Sequence, residues 1–183
     1  MKKKLIVIIL LILVTITLFY FFKKNEEYKQ RQEDLKIVSL SRRACYLNAK
    51  KYLAVVAADS LERLIEAAED DGMCLIVMSG YRSYERQEIL YNSAQDKSLV
   101  AYPGTSEHET GLAVDFGGCP MNDAGARDDS VERPELALDF ELLPEYEWLK
   151  NNAHKFGFYQ SYTEENQEET GFKPEPWHWK FKY

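Results

Sequence analysis

The chain holds three histidines, His108, His154 and His178, and two of them keep unusual company. His108 lies in SEHETGLAVDF (residues 106–116), seven residues before Asp115, and His178 lies in EPWHW, three residues after Glu175. Asp115 follows an apolar run, yet aspartate is a poor strand former and is rarely buried without a partner. A catalytic zinc site would supply that partner, because it takes three nitrogen or oxygen ligands and leaves one position for water. His108, Asp115 and His178 offer two imidazoles and one carboxylate, and Gly111 permits a sharp turn between the first two. Water activated by such an ion needs a further carboxylate to accept its proton and deliver it to a leaving amine. Glu175 is the candidate for that role. On a straight strand Glu175 and His178 would face opposite ways. Pro174 and Pro176 must therefore bend the backbone if both are to face one ion.

Each of these residues has a plainer reading by itself, since an isolated histidine is more often a core or surface residue and an aspartate at a strand end more often a turn residue. The argument rests on the set. His154, in NNAHKFG, suits the negative end of a helix dipole and falls outside the ligand set. Arg82, in SGYRSYERQ, directly follows an apolar run and offers charge-assisted hydrogen bonds to a carboxylate or carbonyl. Ser106, two residues before His108, offers a hydroxyl to a substrate carboxylate; otherwise it is a capping serine. Serine acylation has no signature here, neither G-x-S-x-G nor S-x-x-K. Cys119 with His154 has no flanking support as a thiol nucleophile.

The elements that must position these groups follow from periodicity. A helix is expected over residues 47–71, because Leu61, Leu64, Ile65 and Ala68 fall on one helical face, with Gly72 at its end. MCLIVMS (73–79) reads as a buried strand, and a second helix starts after Ser83 as N-cap. LAVDF (112–116) is the next strand, and residues 117–136 form a long irregular segment rich in Gly, Pro, Asp and Asn. Residues 145–154 suggest a short helix and KFGFY a turn into a strand. TEENQEET (163–170) reads as a hairpin loop, and EPWHWKFKY (175–183) as a last strand. Helices come early and strands late, which argues for an α+β domain and against a doubly wound parallel sheet.

Ahead of that domain, residues 5–22 (LIVIILLILVTITLFYFF) carry no charge. At the rise of a helix this run spans about 27 Å, close to the hydrocarbon thickness of a bilayer. Phe19, Tyr20, Phe21 and Phe22 crowd the place where a signal peptidase needs small residues, so an uncleaved signal-anchor is expected. Three lysines precede it and two follow, a bias that favours an exported C-terminal domain. The expected organisation is an anchor with flanking lysines (1–24), a polar stalk (25–40) and a globular domain (41–183). Hydrophobic residues make up 45% of the chain, enough for one core. Residues 25–183 carry 18 basic and 30 acidic side chains, net −12, which disfavours nucleic acid as a partner. Cys45, Cys74 and Cys119 leave at least one thiol free or paired between chains; the apolar setting of Cys74 suggests a buried inert thiol, and a disulfide between two of the three is the alternative.

SGYRS, then PGTSEHETGLAVDF, then EPWHW, in that order, resembles the VanY-type D-alanyl-D-alanine carboxypeptidases. These are zinc peptidases of the group that includes lysostaphin and has a hedgehog-like fold. The resemblance covers residues 55 to 181. It implies a small antiparallel sheet with helices packed on one side, and one zinc ion held by His108, Asp115 and His178. It also implies Glu175 as catalytic base, Arg82 on the scissile carbonyl or terminal carboxylate, and Ser106 and Gln87 at the substrate. The implied partner is the stem peptide of peptidoglycan, met on the outer side of the membrane. The chain departs from the pattern at Ser161 and Lys180, where relatives often carry arginine. Cleavage of a D,D or an L,D bond both remain open, as does a non-catalytic module that binds wall peptides on the same scaffold.

Overall fold

A computed structural model of the chain describes residues 12–24, 26, 35–37, 52–118 and 140–183. Backbone contacts divide it into two units, Met1–Leu35 and Lys36–Tyr183. In the first, residues 12–24 form helix α1, with its apolar side chains exposed. The membrane span expected over residues 5–22 lies partly outside the described residues. Among those described, no helix is long and apolar enough to cross a membrane. Most of the expected stalk also lies outside them.

The second unit is built on a four-stranded antiparallel sheet. After the short strands β1 (Leu35–Ile37) and β2 (Tyr52–Ala54) come helix α2 (Val55–Asp70), strand β3 (Leu75–Ser79) and helix α3 (Tyr84–Ser93). Strand β4 (Ala113–Gly118), helix α4 (Pro144–Asn152), strand β5 (Phe158–Gln160), helix α5 (Gln167–Thr170) and strand β6 (His178–Phe181) follow. The sheet order is β3-β4-β6-β5. Alternation along the strands assigns its two faces. Val114 and Phe116 of β4, and Trp179 and Phe181 of β6, turn into the core with Leu75 and Val77 of β3. There they meet Ala57, Leu61, Leu64, Ile65 and Ala68 of α2, the apolar stripe legible in the sequence. Asp115, His178 and Lys180 alternate with these core residues and so lie on the other face.

The structure corrects the sequence reading at four places. The first helix begins at Val55 and is preceded by β2; the expected residues 47–51 lie outside those described. The stretch expected as a hairpin loop contains the one-turn helix α5, ended by Gly171 in the left-handed conformation. The last strand starts only at His178, because Glu175 to His178 form a turn closed by His178 N–H donating to the Glu175 carbonyl at 3.1 Å. Cys74 is not an inert thiol but is disulfide-bonded. It is partly exposed and directly precedes β3. The expected second helix does start at Ser83, whose hydroxyl accepts from Arg86 N–H at 3.3 Å. The segment 119–139 lies outside the described residues.

Candidate active site

The far face of the sheet carries the site, and strand register assembles it. Asp115 of β4 pairs with His178 of β6 on one side and with Ser79 of β3 on the other. Ser79, Asp115 and His178 therefore form a row across three strands. An irregularity in the β3–β4 pairing between Val77 and Ser79 brings Ser79 into this register. His108 reaches the row from a 3-10 turn, Glu107–Thr110, just ahead of β4. Gly111 ends that turn with φ 72°, the left-handed conformation in which glycine is unstrained, and its N–H donates to the His108 carbonyl. The chain then enters β4 with Asp115 already facing His108.

Three ligand atoms converge. His108 Nε2 lies 3.2 Å from Asp115 Oδ2, and His178 Nδ1 lies 2.9 Å from Asp115 Oδ1. One ligand atom from each residue falls within 4.8 Å of the others, a spacing open to a single metal ion. The outward nitrogens are also engaged. His108 Nδ1 lies 2.8 Å from the Gly80 carbonyl oxygen, and His178 Nε2 lies 3.0 Å from Glu107 Oε2. Both outer partners are acceptors, so with a metal bound each outer nitrogen would keep its proton and each inner nitrogen would offer a lone pair; without one, the inner nitrogens donate to Asp115. The donor set and its tautomers fit a divalent ion of zinc's preferences. Gly80 holds its place because a Cβ there would come within 2.7 Å of the Tyr52 carbonyl oxygen.

Glu175 is brought to the same spot by the turn that its neighbouring prolines enforce. Its Oε2 lies 4.0 Å from His178 Nδ1, so the bend expected from Pro174 and Pro176 is present. Burial, with the charge of Asp115 adding to it, pushes the Glu175 carboxyl up to about 7, against the pull of His178 and Arg82. It is thus poised between acid and base near neutrality. Asp115 behaves in the opposite way. Burial opposes its charge, but hydrogen bonds from His108 and His178 hold its carboxyl far below the usual range. His178 is raised to about 9: burial works against the imidazolium, and hydrogen bonds to Asp115 and Glu107 outweigh it.

Arg82 is present as expected, and its setting explains Gln87. The guanidinium donates to Gln87 Oε1 at 2.9 Å and to Ser79 Oγ at 3.2 Å, with Asp115 Oδ2 at 4.0 Å. Gln87 is fully buried and donates its own amide to the Ala101 carbonyl at 2.7 Å. Both ends of its side chain are used inside the protein, so Gln87 aims Arg82. The backbone N–H of Arg82 also donates to the His108 carbonyl, which ties the arginine to the metal-site turn. Ser106 is nearly buried beside that turn and does not cap it with its side chain. His154 is exposed on the 3-10 turn after α4, away from the ligand set, as expected.

Two residues at the site carry no signal in their local sequence. Tyr162 stacks on His178 with ring centroids 5.1 Å apart and planes 23° apart. Burial and the surrounding carboxylates push its hydroxyl above the usual phenol range. Glu107 lies beside His178 and accepts from Ser161 Oγ at 2.6 Å and Lys180 Nζ at 2.9 Å. Burial resists its charge, but the hydrogen bonds from His178, Ser161 and Lys180 hold its carboxyl down to about 2. Glu107 is one residue from a ligand, but only the folded chain shows that it faces the other histidine.

An antiparallel sheet brings two histidines and an aspartate to one point, with a further carboxylate and an arginine beside it, and so offers a candidate metal site of the two-histidine, one-carboxylate kind. The chain belongs to the VanY family, described as D-alanyl-D-alanine carboxypeptidase, which it matches over residues 50–182. A D-alanyl-D-alanine carboxypeptidase of Enterococcus faecalis is 36% identical to it over 137 residues, covering 66% of this chain and 45% of that one. The solved LdcB LD-carboxypeptidase covers 81% of this chain and 67% of its own, with 29% identity and a TM-score of 0.61. A variant of the vancomycin-resistance D,D-pentapeptidase VanY, in complex with Zn(II), covers 74% of this chain and 75% of its own, at 32% identity and a TM-score of 0.55. The chain spans about half the length of the curated relatives it matches.

Proposed function

We propose that the chain is a zinc-dependent carboxypeptidase that removes the C-terminal D-alanine from peptidoglycan stem peptides. The observation that carries this reading is the convergence of His108 Nε2, Asp115 and His178 Nδ1, with Glu175 at 4.0 Å from the last. Zinc, when bound there, supplies a Lewis acid for the scissile carbonyl and lowers the pKa of water. Glu175, near 7, takes the proton of the attacking water and returns it to the nitrogen of the departing D-alanine. The peptide C–N bond breaks, a C–O bond forms, and one water is consumed. Arg82, aimed by Gln87 and Ser79, fixes the terminal carboxylate or polarises the carbonyl, and selection for that free carboxylate makes the enzyme an exopeptidase. Ser106 lines the approach beside His108. The relatives with solved structures include a D,D- and an LD-enzyme, and the D,D bond is the one favoured here.

The domain is placed on the outer side of a cell membrane, held by the N-terminal apolar segment. The uncharged run at residues 5–22 and the disulfide at Cys74 support this, since disulfides persist in oxidising compartments. A wall-peptide-binding module without activity is the competing reading. The placement of Glu175, 4.0 Å from His178 Nδ1 beside the converging ligand atoms, speaks against it, because binding alone needs no carboxylate base there. The test incubates the full-length protein, in detergent, with pentapeptide and tetrapeptide stems, with and without chelator, read by mass spectrometry. Release of D-alanine that chelation abolishes is the expected result, and the stem that is shortened identifies the bond. Binding of stems with no D-alanine released would establish the module instead.

A further inference from the structure

We infer that Glu107 is a positioning residue that orients the ligand His178, and that Ser161 and Lys180 serve to hold it. The inference rests on the reading of His178 as a metal ligand and deepens it. The geometry has three parts. Glu107 Oε2 lies 3.0 Å from His178 Nε2, the ring nitrogen facing away from Asp115. The Glu107 carboxylate is itself clamped at both oxygens, by Ser161 Oγ at 2.6 Å on Oε2 and by Lys180 Nζ at 2.9 Å on Oε1. Tyr162, stacked on the face of the ring, limits tilting of the imidazole.

A carboxylate in that place has a definite consequence. With an ion bound, it would keep the proton on Nε2 and free the Nδ1 lone pair for the ion, and its charge would raise the basicity of that nitrogen. His108 has only a neutral carbonyl, that of Gly80, in the equivalent role. The two histidines are therefore unequally supported, and His178 is the one with an anionic partner. Ser161 and Lys180 both end on Glu107, one on each carboxylate oxygen. Lys180 reaches it from two residues beyond His178 on the same strand face, and Ser161 from the end of β5, where its N–H donates to the His178 carbonyl.

The test measures zinc affinity of the full-length protein in detergent, by competition with a chromogenic chelator and without any peptide. Glu107→Ala is expected to weaken zinc about 10- to 100-fold, the range seen when outer partners of ligating histidines are removed. Glu107→Gln, which keeps an acceptor but loses the charge, falls between that variant and the parent. Circular dichroism and thermal unfolding report whether each variant is folded. A folded Glu107→Ala protein that binds zinc as tightly as the parent, with only a lowered Tm, would overturn the inference and leave a structural salt bridge. If Glu107→Ala does not fold, Glu107→Gln decides: parent-like affinity overturns the inference, weakened affinity supports it. A parent protein that binds no zinc overturns the metal reading and this inference together, whereas parent binding unchanged in both variants overturns only this one.

Discussion

Asp115 and His178 stand directly opposite each other on adjacent antiparallel strands, with Oδ1 and Nδ1 2.9 Å apart. The pair is 63 positions apart in sequence, and it closes the metal site because side chains at paired positions share one face. Asp115 also lies 3.2 Å from His108, so one carboxylate joins both imidazoles. Register is a demanding condition here. A slip of one residue between β4 and β6 would turn His178 into the core and Trp179 out of it.

Glu175→Gln should separate binding from chemistry. The variant keeps its shape and all three ligands but has no carboxylate to accept a proton. Turnover of a stem peptide is expected to fall about 10²- to 10⁴-fold, with zinc affinity within a few-fold of the parent. Zinc content by elemental analysis, beside D-alanine release, checks both halves. Full activity in a zinc-loaded variant would remove Glu175 from the mechanism.

Gln87→Ala should damage the site from behind. The fully buried amide is a partner of both Arg82 and the Ala101 carbonyl, and its removal takes a hydrogen bond from each. The expected loss is about 1–3 kcal/mol of stability. If Arg82 binds the substrate's terminal carboxylate, KM for the peptide is expected to rise more than kcat falls. Thermal unfolding and steady-state kinetics read the two effects. An unchanged KM would detach Arg82 from substrate binding.

The metal-free protein should lose stability as pH rises from about 5 to 9. His178 has its pKa raised from 6.5 to about 9, so its contribution is complete below 6.5 and is lost as pH climbs through 9. Glu175 is raised from 4.5 to about 7, so the folded state is progressively disfavoured between those values. Asp115 and Glu107 are lowered, and their contributions are lost only as pH falls below the ordinary carboxylate range. Unfolding of chelator-treated protein should therefore give a Tm maximum near pH 5. Added zinc should stabilise more at pH 8 than at pH 6, since its ligands must be deprotonated. A Tm of the metal-free protein that rises toward pH 9 would contradict the assigned pairing.

Reduction should weaken the domain. Cys74 is disulfide-bonded at the entrance to β3, the strand that supplies Ser79 and leads into Arg82. Removing a native disulfide from a small secreted domain costs about 2–5 kcal/mol. A clear drop in Tm with reductant is expected in the parent and none in Cys74→Ser. Equal sensitivity in both proteins would assign the effect elsewhere.

Much of this protein was legible before folding. The stripe of Leu61, Leu64, Ile65 and Ala68 marks α2, because helical periodicity is a local property. The apolar run at 73–79 marks β3, and Ser83 marks the start of α3. The residues that converge at the candidate site could be singled out because residue type limits which side chains can bind a metal or move protons, and because prolines around Glu175 announce a bend. The disulfide at Cys74 was not legible, since pairing among three cysteines depends on distance in space. Nor was the one-turn helix α5 among the polar residues 163–170, where no apolar period exists to reveal it.

Only the tertiary structure decided how the named residues are held. It set Asp115 against His178 by strand register and gave Gln87 the task of aiming Arg82. It brought Tyr162 and Glu107 onto a histidine far from either in the chain. The physical reason is common to all four. Hydrogen bonds and ion pairs act over about 3 Å, so their partners are fixed by the packing of strands and turns, while sequence pattern reports only which face of its own element a residue occupies.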